Sequence, residues 1–269
     1  TLNYRARRTC VPPTWGGAAG AKIGKPGAIK TMENMHIGQH IYKAYNEELE
    51  TVRSRVLAMG GFIEQQLEDA VGALVEGDSR LAEIVITNDY QVNAFEVTID
   101  EECNRILALR QPAASDLRLI VAIIKTITDL ERIGDQAERV GRMAVRLADS
   151  EGSRRQQAEL RHLGEDVRQM LHQTLDAFAR MDAEAAVEVA RMDIKIDKEY
   201  EGLTRQLITF MMEDPRNITH VLDILWAARA LERVGDHARN ICEYVVYLVK
   251  GKDVRHTSLD EMEEEARGE

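Results

Sequence analysis

The sequence is poor in aromatic residues and prolines, and it has no long apolar run. Aromatic residues make up 5% of its 269 residues and only five prolines are present, whereas Ala, Leu, Ile, Val, Glu and Arg are abundant. This composition favours long helices over twisted sheets. The longest apolar stretches, such as 119–124 and 244–249, fall far below the roughly 20 residues that a membrane-spanning helix needs. The sequence therefore predicts an all-α protein that does not span a membrane.

Cysteine is also scarce, and acidic residues exceed basic ones. Cys10, Cys103 and Cys242 lie far apart without a C-x-x-C pair, which argues against a disulfide framework and against a structural zinc site. We therefore expect a cytoplasmic protein. The net charge of −11 is uneven, because residues 1–34 are basic and the remainder is more acidic still. An acidic body repels the phosphate backbone, so nucleic acid is not an expected partner.

The few helix-breaking residues divide the chain. Residues 1–34 hold three of the five prolines and are predicted to be a disordered extension, whereas 251–269 are predicted to be a solvated, acidic C-terminal tail. Pro112 and Pro215 each end one long helix and precede another, because a proline inside a helix costs about 3 kcal/mol. With the weaker glycine and aspartate breaks, the six predicted helices are 46–76, 80–109, 116–149, 154–180, 183–213 and 218–250.

The third and sixth predicted helices carry an internal repeat. Residues 129–137 read DLERIGDQA and residues 230–238 read ALERVGDHA, so that six of nine positions are identical. Such a match at equivalent places in two similarly divided halves indicates a duplicated helical unit. Because the connections are short, each half is predicted to be an antiparallel three-helix bundle, the first at 35–150 and the second at 151–250.

Acidic side chains recur at helical spacing within this repeat. Glu131 and Asp135 are four residues apart, as are Glu232 and Asp236, so each pair projects from one face of its helix. Like charges at this spacing repel each other, and their recurrence calls for a compensating partner. That partner is either a metal ion or the arginines one turn further on. The preceding helix of each half adds Asp89, Asp193 and Asp197 as candidates.

These candidate ligands all offer oxygen atoms, which favour a hard ion such as iron, manganese, magnesium or calcium over zinc. Gly134 and Gly235 stand beside the acids at a cost of about 1 kcal/mol each relative to alanine. Close helix packing explains them, and so does room for an ion. Glu159 and His162 form an E-x-x-H motif, but a di-iron oxidase needs a second such motif within the bundle. His162 is therefore interpreted as a surface residue.

The paired L-E-R-[IV]-G-D segments at 130–135 and 231–236 resemble the repeated signature of the PhoU family, and the likeness covers about residues 35–250. The resemblance implies two three-helix bundles, each with an acidic face that binds a multinuclear metal cluster. Iron is the metal most expected, with manganese, magnesium or zinc as alternatives. The family pattern maps onto Glu131, Asp135, Glu232 and Asp236, with Asp193 and Asp197 on the fifth helix. This sequence departs from it at Asn93 and at Arg239.

The same resemblance implies an adaptor and not an enzyme. Proteins of this kind couple the phosphate ABC transporter to a sensor histidine kinase, and they repress the phosphate regulon when phosphate is plentiful. The implied partners are the ATPase subunit of the transporter, the kinase, and a second copy of the chain. Two other readings of the residues stay open: a carboxylate–metal hydrolase or oxidase, and a structural helical protein whose acids are solvated.

Overall fold

A computed structural model describes the backbone of residues 30–148 and 154–268, with side chains at 43–148 and 158–268. Within these ranges the protein is all-α and contains no β-strand. Residues 44–269 form one compact unit, and every contact given below lies within it. The helices are α1 Lys30–Glu76, α2 Ser79–Arg110, α3 Ser115–Leu147, α4 Arg154–Arg180, α5 Ala183–Glu213, α6 Ile218–Lys250 and α7 Leu259–Arg267.

The six predicted helices are confirmed, and all their ends but one agree with the prediction to within a few residues. The exception is the start of α1, which begins at Lys30, inside the extension predicted at 1–34. The rest of that extension lies outside the described residues. The predicted boundary between the two bundles, at residues 150 and 151, also lies outside them.

Local sequence sets where the helices of the two halves begin and end. The side chain of Asp78 accepts the N–H of Leu81 at 3.0 Å at the start of α2, and that of Asp182 accepts the N–H of Ala185 at 3.0 Å at the start of α5. Such caps satisfy backbone donors that have no partner within the helix. Helix α5 stops before Pro215, which opens a short 3-10 turn ahead of α6. The same local rules therefore shape both halves.

Each half is an antiparallel three-helix bundle, formed by α1–α3 in the first half and by α4–α6 in the second. The halves pack together through α3 and α6 and through α1 and α4. At the second contact the helices approach closely, since a Cβ atom at Gly164 would lie 2.6 Å from Val71 Cγ1. The buried apolar side chains of both halves form one continuous core.

A buried polar network joins α3 to α6. The carboxylate of Asp129 accepts hydrogen bonds from His237 Nδ1 at 2.8 Å, Asn240 Nδ2 at 3.2 Å and the Tyr244 hydroxyl at 2.8 Å. Asp129 and His237 are both buried. The pKa of Tyr244 is raised, first by burial and then by the Asp129 carboxylate. The Tyr244 hydroxyl therefore stays protonated and donates its hydrogen bond to Asp129. The two copies of the internal repeat differ at three positions, and this hydrogen bond uses two of them. Asp129 corresponds to Ala230 in the second copy, and His237 corresponds to Gln136 in the first.

The C-terminal segment is not the solvated tail predicted at 251–269. It contains α7, which begins with a reciprocal cap between Ser258 and Glu261. Met262 and Ala266 are buried where α7 packs against α5 and α6. The two apolar residues are four apart and therefore share one helical face. An acidic stretch can thus bury a single apolar stripe, and the high charge of the segment hid this stripe from the sequence analysis.

None of the described helices has an apolar stretch long enough to cross a membrane. Cys103 and Cys242 are buried, and neither forms a disulfide. Burial raises the pKa of both thiols to about 12. These two cysteines therefore belong to the helical core.

We predict that Asp129→Ala lowers the free energy of unfolding by about 2–5 kcal/mol, because it leaves three polar groups of α6 without their acceptor in a buried place. Urea denaturation measures the change. Asp176→Ala is the matched control, since Asp176 is exposed and forms an ion pair with Arg180 one turn away, an arrangement worth about 0–1 kcal/mol. Equal losses in the two variants would contradict a structural role for the network.

Candidate metal centres

In the second half, four acidic side chains of α5 and α6 lie close together, and we call them the second acidic cluster. Its members are Asp193, Asp197, Glu232 and Asp236. Helices α5 and α6 pack directly against each other, and each contributes two acids spaced four residues apart. Asp193 and Glu232 are only 3% and 7% exposed. The structure therefore brings together all four residues that the sequence predicts for this half.

Burial and mutual repulsion disfavour the charged forms of the two inner acids. The pKa of Glu232 is raised to about 7, first by burial and then by the neighbouring Asp236 carboxylate, with smaller effects from Asp197 and Asp193. Burial likewise raises the pKa of Asp193 to about 6, with Asp197 and then Asp236 as the next causes. A nearby positive charge is the usual means of keeping such carboxylates ionised at neutral pH.

Two arginines supply part of that charge. Arg229 forms an ion pair with Glu232 one turn away, and Arg239 Nη1 lies 3.4 Å from Asp193 Oδ2. The other oxygen of each acid, Asp193 Oδ1 and Glu232 Oε2, is buried and has no hydrogen-bond partner. A buried carboxylate oxygen without a partner costs free energy unless water or an ion satisfies it. The donor set thus fits a hard cation.

The glycines beside the acids mark close approaches between helices. A Cβ atom at Gly235 would lie 3.2 Å from Asp193 Oδ1, whereas one at Gly134 would lie 3.0 Å from Val92 Cγ1. Close packing, one of the two explanations that the sequence offers, therefore accounts for both glycines. At Gly235 the close neighbour is itself a candidate ligand, so the missing side chain also leaves room for the Asp193 carboxylate.

The first half carries an equivalent group on α2 and α3, which we call the first acidic cluster. Its members are Asp89, Glu96, Glu131, Asp135 and Glu138. Burial is the main cause that raises the pKa of Glu131, followed by Asp135 and then Glu96. Burial also raises the pKa of Asp89, with Glu138 and Asp135 as further causes. Unlike the inner acids of the second cluster, Asp89 and Glu131 are only partly buried.

The sequence analysis offers the arginines one turn after the acids as possible partners, and the structure shows such a pair at one acid of the first cluster but not at another. The amide of Asn93 donates to Asp89 Oδ2 at 3.3 Å, where the second half has the acid Asp197. Arg142 pairs with Glu138 at 2.6 Å, as their spacing indicates. Arg139, four residues after Asp135, instead donates to Gln136 at 3.4 Å.

Sequence reasoning missed Glu96. Its pKa is raised by burial, then by Asp100 and by Asp135 across the helix pair. Glu96 follows Asp89 by seven residues, which is two helical turns, so both lie on the same face of α2. That spacing is the signal that could have identified it. All the predicted acids of the first half, Asp89, Glu131 and Asp135, thus lie in one cluster, and their role as ligands stays a prediction.

Comparison with protein families finds a match to the PhoU domain at residues 56–144 and 160–245, one stretch in each half. The chain is 56% identical over 233 residues to the phosphate-specific transport system accessory protein PhoU homolog of Pseudomonas aeruginosa, covering 86% of this chain and 96% of that protein. It is 50% identical over 232 residues to the phosphate-specific transport system accessory protein PhoU of Escherichia coli K12, again covering 86% and 96%.

Two crystal structures share the fold. The structure of PhoU from Pseudomonas aeruginosa superposes with a TM-score of 0.75 at 56% identity, covering 77% of this chain and all of that one. The phosphate transport system regulatory protein PhoU from Streptococcus pneumoniae superposes with a TM-score of 0.73 at 31% identity, covering 78% and 99%. The predicted pair of tandem three-helix bundles is therefore confirmed.

We predict that the metal-free protein loses stability as the pH rises from about 5 to about 7.5. The pKa values of Asp193 and Glu232 are about 6 and 7 in the folded protein, above the values of about 3.9 and 4.3 expected in the unfolded chain. The folded state then binds more protons over this interval, so the contribution of these two groups to the free energy of unfolding is largest below pH 4 and is lost as both ionise.

The measurement is a series of urea unfolding curves at several pH values after dialysis against a chelator. Glu232→Gln removes one of the two groups, so it should flatten the pH dependence and stabilise the metal-free protein at pH 7.5. Glu201→Gln, at an exposed position of α5, serves as the control and should keep the wild-type slope. Parallel slopes for Glu232→Gln and the wild type would contradict the predicted protonation of Glu232.

Proposed function

Because the chain belongs to the PhoU family, we propose that it is an accessory and regulatory protein of phosphate transport, acting in the cytoplasm as an adaptor and not as an enzyme. In this proposal it contacts the ATPase subunit of the phosphate ABC transporter and a sensor histidine kinase, and it represses the phosphate regulon when phosphate is plentiful. The active form in the proposal is a homodimer.

The observation that carries the proposal is likeness over nearly the whole helical body. The relatives at 50% and 56% identity are aligned over 86% of the chain and are named accessory proteins of phosphate-specific transport. The Streptococcus pneumoniae structure is named a regulatory protein of the same system. These names support an accessory role, and none of them refers to a catalytic activity.

We also propose that each acidic cluster binds hard metal ions, with iron favoured over manganese, magnesium or zinc. Asp193, Asp197, Glu232 and Asp236 would hold the metal in the second half, and Asp89, Glu131 and Asp135 would do so in the first. The two buried carboxylate oxygens without partners support this proposal. A bound ion supplies positive charge on an acidic protein, together with coordination positions that water or phosphate oxygen can fill.

We predict that cells lacking the gene show high alkaline phosphatase activity in phosphate-rich medium, and that the wild-type gene restores low activity. The double variant Glu131→Gln/Glu232→Gln should restore it poorly, because each change removes a negative charge from one cluster while keeping the shape of the side chain. The measurement is phosphatase activity in the three strains, with the amount of protein checked by immunoblot.

The control is Glu83→Gln/Glu201→Gln, which removes one exposed acid of α2 and one of α5 and should repress like the wild type. Low phosphatase activity in the deletion strain would contradict the regulatory role. Full repression by the Glu131→Gln/Glu232→Gln variant would leave the regulatory role in place and contradict the contribution of the acidic clusters to it.

A further inference from the structure

Three side chains from two helices converge at a place separate from both acidic clusters. His162 and Asp166 lie one turn apart on α4, and Glu199 faces them from α5. His162 Nε2 lies 3.6 Å from Asp166 Oδ2 and 3.5 Å from Glu199 Oε1. One ligand atom from each of the three residues lies within 4.8 Å of the other two. None of these residues belongs to the motif that the two halves share.

We propose that His162, Asp166 and Glu199 form a binding site for a single divalent transition-metal ion of the zinc class. Zinc binds imidazole nitrogen and carboxylate oxygen at roughly 2.0–2.2 Å, usually with four tetrahedral ligands. Neighbouring ligands of such a tetrahedron are about 3.4 Å apart. The two distances from His162 are therefore close to this value before any side chain moves. An imidazole ligand also favours zinc over magnesium or calcium.

A second observation at the same place is a carboxylate oxygen that a bound ion would satisfy. Glu199 Oε2 is buried and has no hydrogen-bond partner. Burial and then the neighbouring Asp166 raise the pKa of Glu199, as expected for two carboxylates crowded together. A cavity of about 500 Å³ opens beside the group and is lined by His162, Leu163, Glu199 and Gly202 among others. It leaves space for water or another donor as the fourth ligand.

The ammonium group of Lys195 pairs with the same two carboxylates. Its Nζ atom donates to Asp166 at 2.7 Å and lies 3.5 Å from Glu199 Oε1. The lysine side chain is 58% exposed and has a long flexible stem, so it can swing into solvent when an ion binds. A metal ion and the lysine ammonium group thus compete for the same two carboxylates, and removing the lysine should strengthen metal binding.

The test is equilibrium dialysis of the full chain against zinc at near-neutral pH. It uses the wild type, His162→Ala and the control His172→Ala. His172 is also on α4, is similarly exposed (67% against 62%), and contacts one acid, Glu64, instead of two. We expect His162→Ala to lose one bound zinc per chain or to weaken that site at least about tenfold, since loss of even an outer partner costs about 10–100-fold. The control should match the wild type.

Two further variants separate this site from the acidic clusters and from a purely structural ion pair. Glu131→Gln/Glu232→Gln should keep the zinc that depends on His162, because neither residue touches the site. Lys195→Met should bind zinc more tightly than the wild type. The proposal is overturned if His162→Ala binds zinc as the wild type does, if the loss is the same in His172→Ala, or if Lys195→Met weakens binding.

Discussion

The buried hydrogen bond between Asp129 and His237 joins the two halves of this protein across the packed faces of α3 and α6. It lies between α3 and α6, the two helices that carry the repeated acidic motif, and Asn240 and Tyr244 complete the set of donors around the same carboxylate. Residues two apart on a helix point about 200° away from each other. Holding Asp129 against α6 therefore turns Glu131 away from the interface between the halves and towards α2.

The duplication supplies the acids, and the differences between the copies give each half its own properties. In the second half α5 and α6 meet at Gly235, and the inner acids Asp193 and Glu232 are almost fully buried. In the first half the corresponding contact at Gly134 is with the apolar Val92. Asp89 and Glu131 remain partly exposed there. Burial therefore disfavours the charged carboxylates more strongly in the second cluster, so a bound cation would lower its electrostatic free energy more. The two clusters are expected to differ in metal affinity.

Much of the fold could be predicted from the sequence because the relevant signals are local. Pro112, Pro215 and the capping aspartates determine helix ends over a few residues, and the repeat shows the duplication directly. Contacts between distant segments carry no such signal. Neither the Asp129–His237 bond nor the meeting of His162 with Glu199 can be read from spacing, because each depends on how two helices pack. The short apolar stripe of α7 was hidden by the charges around it.

Anomalous X-ray diffraction from crystals of the protein grown with iron tests the central claim, which is that the acidic clusters bind metal. The account predicts an anomalous peak between Asp193 and Glu232, within coordination distance of their carboxylate oxygens, and a weaker peak beside Glu131 and Asp135. Glu232→Gln crystals should lose or weaken only the first of these. The absence of a peak at both clusters, in crystals whose solution contains iron, would contradict the account.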